Sequence, residues 1–176
     1  MKNLLLCLLV SASLIACTNQ QTATTNGDDA NINTFKENSK VVEAALIAFA
    51  KNDLKEWASY HADSLKWYSA SYGQDAQDSV LNMSAVLLRL EGFHKIVKNI
   101  NVKIEQFIPG VDSVTYKPGG AVRAYIRWSS ESISNGAKIG QKYYCVYKLN
   151  ENHKIVEVDE YFDATGTILA ATAPKK

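Results

Sequence analysis

The chain has few of the residues from which most enzymatic sites are built. Cysteine occurs three times, at Cys7, Cys17 and Cys145, and histidine three times, at His61, His94 and His153, all far apart. Zinc and related sites need ligands at short, paired spacings, so no metal ligand is assigned. There is no Walker loop, no GxGxxG and no GxSxG, which leaves nucleotide-binding and hydrolase folds unsupported and no cofactor expected. No segment repeats. One sign of charge does not dominate either, with 19 Lys+Arg against 18 Asp+Glu, and without a basic excess there is no electrostatic case for nucleic acid. Long apolar runs are missing too: Leu4–Ile15 is too short to span a bilayer.

That short run is informative in itself. Lys2 precedes it, and it closes on Leu14-Ile15-Ala16-Cys17. The order of basic start, apolar stretch and small residues before a cysteine resembles a bacterial lipoprotein signal. The resemblance implies removal of residues 1–16 and lipidation of Cys17, hence a lipid-anchored location in the cell envelope and a membrane as partner; Thr18 is compatible with outer-membrane sorting. Cleavage removes Lys2 and no acidic residue, leaving 18 basic residues against 18 acidic. Cys145 is then a lone thiol in an oxidising compartment, read as a small buried hydrophobe in an alternating strand rather than a nucleophile. Residues 17–33, rich in Thr, Asn, Gln and Asp, read as a flexible tether. One domain is expected over 34–170, followed by a tail at 171–176.

Within the domain the helices come first. Thr34-Phe35-Lys36-Glu37 has capping-box spacing, and Val42, Ala45, Leu46 and Phe49 follow at i, i+3, i+4, i+7. Asp53 to Glu56 repeats the box, with Leu54, Trp57, Ala58 and His61 on one stripe, which predicts a second helix ending near Asp63. His61 at the end of that stripe either faces a pocket as acid or base or caps the helix end, the second being the ordinary case. A strand is expected over Leu65–Ser71, a loop over Gly73–Ser79, and a third helix from Asn82 to Asn99 with His94 on its core side.

Beyond that helix the period becomes two. Val102, Ile104 and Ile108 alternate against Lys103, Glu105 and Phe107, with breaks expected at Pro109-Gly110 and Pro118-Gly119-Gly120. Val122, Ala124, Ile126 and Trp128 form an apolar face opposite Arg123 and Arg127, whose natural partners are acidic residues of neighbouring strands. A polar turn spans Ser129–Gly136. Ile139, Tyr143, Cys145, Tyr147 and Leu149 alternate next. In His153–Asp163, Val156, Val158 and Phe162 share one face with Glu160, while Ile155, Glu157, Asp159, Tyr161 and Asp163 share the other. The expectation is an α+β fold in which an antiparallel sheet packs on three helices, with Val122, Ile126, Cys145 and Val158 buried on one side.

This order, with Tyr60-His61-Ala62-Asp63 before the first strand and Lys154-Ile155-Val156-Glu157 leading to Glu160-Tyr161-Phe162-Asp163, resembles the nuclear transport factor 2-like superfamily, which includes SnoaL-type cyclases, ketosteroid isomerases and limonene epoxide hydrolases. The resemblance implies a strongly curved sheet wrapped around the helices, a cone-like pocket, and dimerisation through the sheet. It implies for Glu160 the place of an acidic pocket residue. The Arg and second Asp that accompany it in epoxide hydrolases are not evident, and the region of the steroid-isomerase base holds Trp67-Tyr68-Ser69, without a carboxylate. The isomerases' second pocket acid would fall near Cys145.

The inward set expected from strand parity is Tyr60, Tyr68, Trp128, Tyr143, Cys145, Tyr147, Val158 and Phe162, a wall suited to a small, mostly apolar ligand with a few polar handles. Three functions stay open: a lipid-anchored small-molecule binder, an acid–base enzyme (isomerase, dehydratase or cyclase) using Glu160, and an envelope protein-interaction module.

Overall fold

The computed structural model describes residues 26–70 and 80–174. The signal segment, Cys17 and the first part of the tether lie outside them, as does the loop read over Gly73–Ser79. The first helix, α1 (Asn26–Ala50), starts eight residues earlier than the capping box suggests. Thr34 is interior to it, its hydroxyl donating to the Ala30 carbonyl at 3.0 Å, a hydrogen bond made inside a helix rather than at a cap. The stretch 26–33 read as tether is therefore helical. Asn38, Val42, Ala45 and Leu46 form the buried stripe.

Asp53 does cap α2 (Leu54–Ser59), its carboxylate accepting from Glu56 N at 2.8 Å. The helix stops at Ser59, and His61 opens strand β1 (His61–Tyr68) instead of closing the helix. A two-residue strand β2 (Val80–Leu81) pairs with β1, and Asn82 caps α3 (Met83–Ile96). Four longer strands follow: β3 (Val97–Val111), β4 (Pro118–Ser132), β5 (Lys138–Leu149) and β6 (Ile155–Tyr161). A helix not expected from the sequence, α4 (Ala164–Thr172), ends the chain, started by the Asp163 carboxylate accepting from Gly166 N. It straddles the boundary drawn between domain and tail at 170.

The six strands form one curved, open sheet in the order β2-β1-β6-β5-β4-β3. Its pairs are antiparallel except β1 with β6, which run parallel and bring the first strand beside the last. That pair departs from the wholly antiparallel sheet expected. The helices cover the concave side. Val122, Ile126, Cys145 and Val158 are fully buried there with Val42, Leu46, Trp57 and Trp67. A second cluster of Val97, Ile139 and Ala171 lies under α4.

Strand parity fails where the ladder slips. Between Ile104 and Gln106 β3 advances two residues while β4 advances one, from Ile126 to Tyr125. Glu105 is the extra residue, and beyond this bulge Phe107 packs on the core while Glu105 turns outward to pair with Arg127. Likewise β6 advances from Glu157 to Ile155 while β5 advances from Lys148 to Leu149, so Ile155 is fully buried rather than solvated. Pro109-Gly110 does not break β3, which continues to Val111, and β4 runs on to Ser132 before turning. Gly119 and Gly120 lie within β4. Gly120 is where α1 crosses: a Cβ there would sit 2.9 Å from Thr34 Cγ2, and Asn38 Nδ2 donates to the Gly120 carbonyl at 2.7 Å.

Candidate functional site

Between the concave sheet and the helices lies a cavity of about 310 Å³. Each element contributes for a local reason. α1 supplies Leu46 and Phe49 from its buried stripe, α2 supplies Trp57, β1 supplies His61 and Trp67, and α3 supplies Val86, Arg89, Leu90 and Phe93. From the sheet come Trp128, Gln141, Tyr143, Tyr147 and Glu160. Phe162, Ala164, Thr167 and Ile168 close one side from the end of β6 and from α4. Aromatic rings run around the wall in contact: Phe93 with Phe49 at 6.1 Å between centroids, Phe49 with Trp128 at 5.3 Å, Trp128 with Tyr143 at 6.3 Å, Tyr143 with Phe162 at 5.1 Å.

Glu160 is 4% exposed and stands opposite Cys145 in the ladder. Its Oε2 accepts the Tyr143 hydroxyl at 2.7 Å. On its other side Arg89 Nη1 lies 2.6 Å from Oε1, an ion contact whose angles fall outside hydrogen-bond geometry, while the same nitrogen donates to Ser69 Oγ at 2.9 Å. A buried carboxylate is costly unless charge and donors meet it, and here both do. Burial, followed by the nearby Cys145, Glu160 and Tyr147, holds the Tyr143 phenol well above its ordinary range, so Tyr143 acts as a donor and not as a phenolate. Burial likewise raises the Tyr147 phenol and the Cys145 thiol, which leaves that thiol without nucleophilic character.

Deeper along β6, β1 brings in His61 and Trp67, which stand opposite Ile155 and Val158. His61 stacks on Trp57 with centroids 3.8 Å apart, and its Nδ1 lies 2.8 Å from the Trp57 carbonyl, which also accepts Tyr60 N at 3.2 Å at the end of α2. The residue therefore caps the helix from the first position of the strand and also walls the cavity. Burial lowers its pKa to about 4, with a smaller contribution from Lys154, against the raising effect of the Trp57 carbonyl.

Of the residues singled out in the sequence, Trp128, Tyr143, Tyr147, Phe162 and Glu160 come together on the wall. Cys145 and Val158 are fully buried in the core and do not line the cavity. Tyr60 turns away, its hydroxyl donating to Glu56 Oε1 at 2.9 Å, because it ends α2 instead of facing the sheet. Tyr68 is also absent from the wall. His94 is half-buried, its ring tilted against Phe49 with centroids 4.8 Å apart, and does not line it either.

Arg89 is the residue that strand parity misses, since it reaches Glu160 from a helix and not from a neighbouring strand. The signal was present in α3: Val86, Arg89, Leu90 and Phe93 fall at i, i+3, i+4, i+7, a cation in the core-facing stripe. Gln141 and Thr167, joined by a hydrogen bond, were also unforeseen, since α4 was not expected. Among the described residues no three His, Cys, Asp or Glu side chains gather as a metal site requires.

No family model matches the sequence, and no curated protein does. Solved structures do. A candidate isomerase from Bacillus subtilis superimposes with a TM-score of 0.66 at 13% identity over 81% of this chain and 97% of that one. An NTF2-like protein of unknown function from Burkholderia pseudomallei gives 0.59 at 16% identity over 77% and 98%, and a candidate SnoaL-like polyketide cyclase from Shewanella denitrificans gives 0.56 at 13% identity over 74% and 93%. With helices in the concavity of a curved six-stranded sheet, and nearly the full length of each of these neighbours covered, the chain has the nuclear transport factor 2-like fold.

Proposed function

We propose that the protein is a small-molecule-binding protein of the bacterial cell envelope, anchored by lipid at Cys17, whose cavity takes one mostly apolar ligand and orients it with the Arg89–Glu160–Tyr143 group. The observation that carries this reading is the aromatic-walled cavity of about 310 Å³ with those polar groups converging on it. Pockets that bind small molecules combine such apolar walls with a few placed polar groups. Dimerisation through the outer sheet face, where Tyr125, Tyr144 and Tyr161 lie ring against ring across three strands, belongs to the same proposal.

A second reading, acid–base catalysis, is favoured by one specific feature: Glu160 has two polar partners within reach inside the cavity. Glu160 would exchange a proton with the ligand, and Arg89 would face charge developing on it. Glu160→Gln separates the two readings, because binding should survive it and turnover should not.

The binding reading is tested by native mass spectrometry of protein extracted from membranes, beside Gly92→Phe. Gly92 lines the cavity at an exposed position, and a Cβ there meets no atom within 4 Å, so a ring is accommodated without displacing the helix and narrows the opening. A bound small molecule in the wild type and none in the variant is the expected result. An empty wild type that also fails to take up naphthalene-type probes would sink the proposal. Cys17→Ser should release the protein from the membrane fraction, and wild type found wholly in the soluble fraction would remove the anchor.

A further inference from the structure

The His61 and Trp67 side chains carry polar atoms that neither the fold nor the Glu160 group uses. Among the described residues, His61 Nε2 and Trp67 Nε1 are buried and have no hydrogen-bond partner. Both residues line the cavity, and they are 5% and 6% exposed. Such atoms are rare in folded proteins, because each loses its water without replacing it. His94 Nε2 is also unpaired, but His94 does not line the cavity and says nothing of its contents.

The two atoms have opposite hydrogen-bonding character. The carbonyl of Trp57 can only accept, so the 2.8 Å contact places the His61 proton on Nδ1 and leaves Nε2 with a bare lone pair. An indole Nε1 can only donate. The rings stand 6.4 Å apart between centroids, inclined at 36°. One oxygen bonded to two nitrogens spans up to about 5.8 Å between them. A group that serves both must donate to one and accept from the other, which a hydroxyl does and a ketone, an ether or a carboxylate does not.

We infer that this end of the cavity is a hydroxyl subsite, in which the ligand's O–H donates to His61 Nε2 while its oxygen accepts the Trp67 indole N–H. The inference rests on the small-molecule reading above and narrows its ligand to an apolar alcohol or phenol. That hydroxyl lies on the His61 side of Val158, and Glu160 lies on the other, so the two polar sites contact different parts of one ligand.

The probes are 2-naphthol and 2-methylnaphthalene, which differ by a hydroxyl in place of a methyl group. Binding is followed by calorimetry, and the Trp67 indole N–H is followed by ¹⁵N-resolved NMR, assigned in the wild type from its through-bond and NOE connectivities. 2-Naphthol should bind at least about tenfold more tightly to the wild type, since a site built around a hydroxyl rejects its methyl counterpart. It should shift the Trp67 N–H where 2-methylnaphthalene does not, and Trp67→Phe should lose most of the preference. The NMR arm holds whether or not the variant folds. Equal binding of both probes, with the N–H unmoved, would place a water between the rings and overturn the subsite while leaving the cavity reading intact. A preference unchanged in folded Trp67→Phe would move the hydroxyl to Glu160 and also overturn it. Failure of both probes to bind would remove the cavity reading and the subsite together.

Discussion

Arg89 approaches Glu160 from a helix rather than from the sheet, and its side chain remains 34% exposed while the carboxylate is almost wholly enclosed. The pair is therefore asymmetric: losing the cation strands a buried charge, whereas losing the charge frees a cation that can turn to water. Arg89→Met should lower unfolding free energy by about 2–3 kcal/mol. Adding Glu160→Gln should recover much of that loss, because an amide needs no counter-charge. Urea unfolding of the two variants checks this, and a single variant as stable as wild type would show that Arg89 does not support the carboxylate.

His61 gives a pH dependence of definite sign. Its pKa is about 4 in the folded protein, and burial is the main cause. The unfolded chain regains the ordinary value near 6.5, so between those values the unfolded state takes up a proton that the folded ring refuses. Stability fully present above pH 6.5 is lost as the pH falls toward 4, by on the order of 3 kcal/mol from this residue. His61→Gln keeps a donor for the Trp57 carbonyl and does not titrate. Its urea midpoint should fall less than that of the wild type between pH 7 and pH 4, and parallel curves for the two proteins would contradict the assignment.

At the scale of elements, β-bulges decide which side chains enter the core. One extra residue at Glu105 puts Phe107 inside, against the alternation that holds from Val102 to Ile104. Phe107→Ala should cost about 2–3 kcal/mol in thermal or chemical unfolding. Glu105→Ala, which removes an exposed and solvent-screened ion pair, should cost much less. The reverse order would mean that Phe107 faces solvent and that the slip lies elsewhere.

At the scale of the molecule, the parallel contact of β1 with β6 joins the first and last strands of the domain, and α4 then seals the side of the cavity that the sheet leaves open. The helix is held by Ala171, buried against Val97 and Ile139, and by its carbonyl, which accepts the Ser132 hydroxyl at 2.7 Å. Ending the chain at Asp163 should leave a folded protein that melts about 4–8 °C lower, the equivalent of roughly 2 kcal/mol for a domain of this size. It should also take up hydrophobic dye. An unchanged melting temperature would mean that α4 does not close the fold.

Hydrophobic periodicity was enough to place three helices ahead of the long strands, to put Val122, Ile126, Cys145 and Val158 on one buried face, and to single out Glu160, because a side chain's face along a regular element follows from its spacing alone. Periodicity carries no information on where a ladder gains a residue, so strict alternation puts Phe107 and Ile155 on the wrong side. Nor does it say which element faces which. The meeting of Arg89 from α3 with Glu160 from β6, and of His61 with Trp67 inside one cavity, was decided by the tertiary structure, since contacts between distant residues depend on strand order and helix placement, which no local pattern encodes.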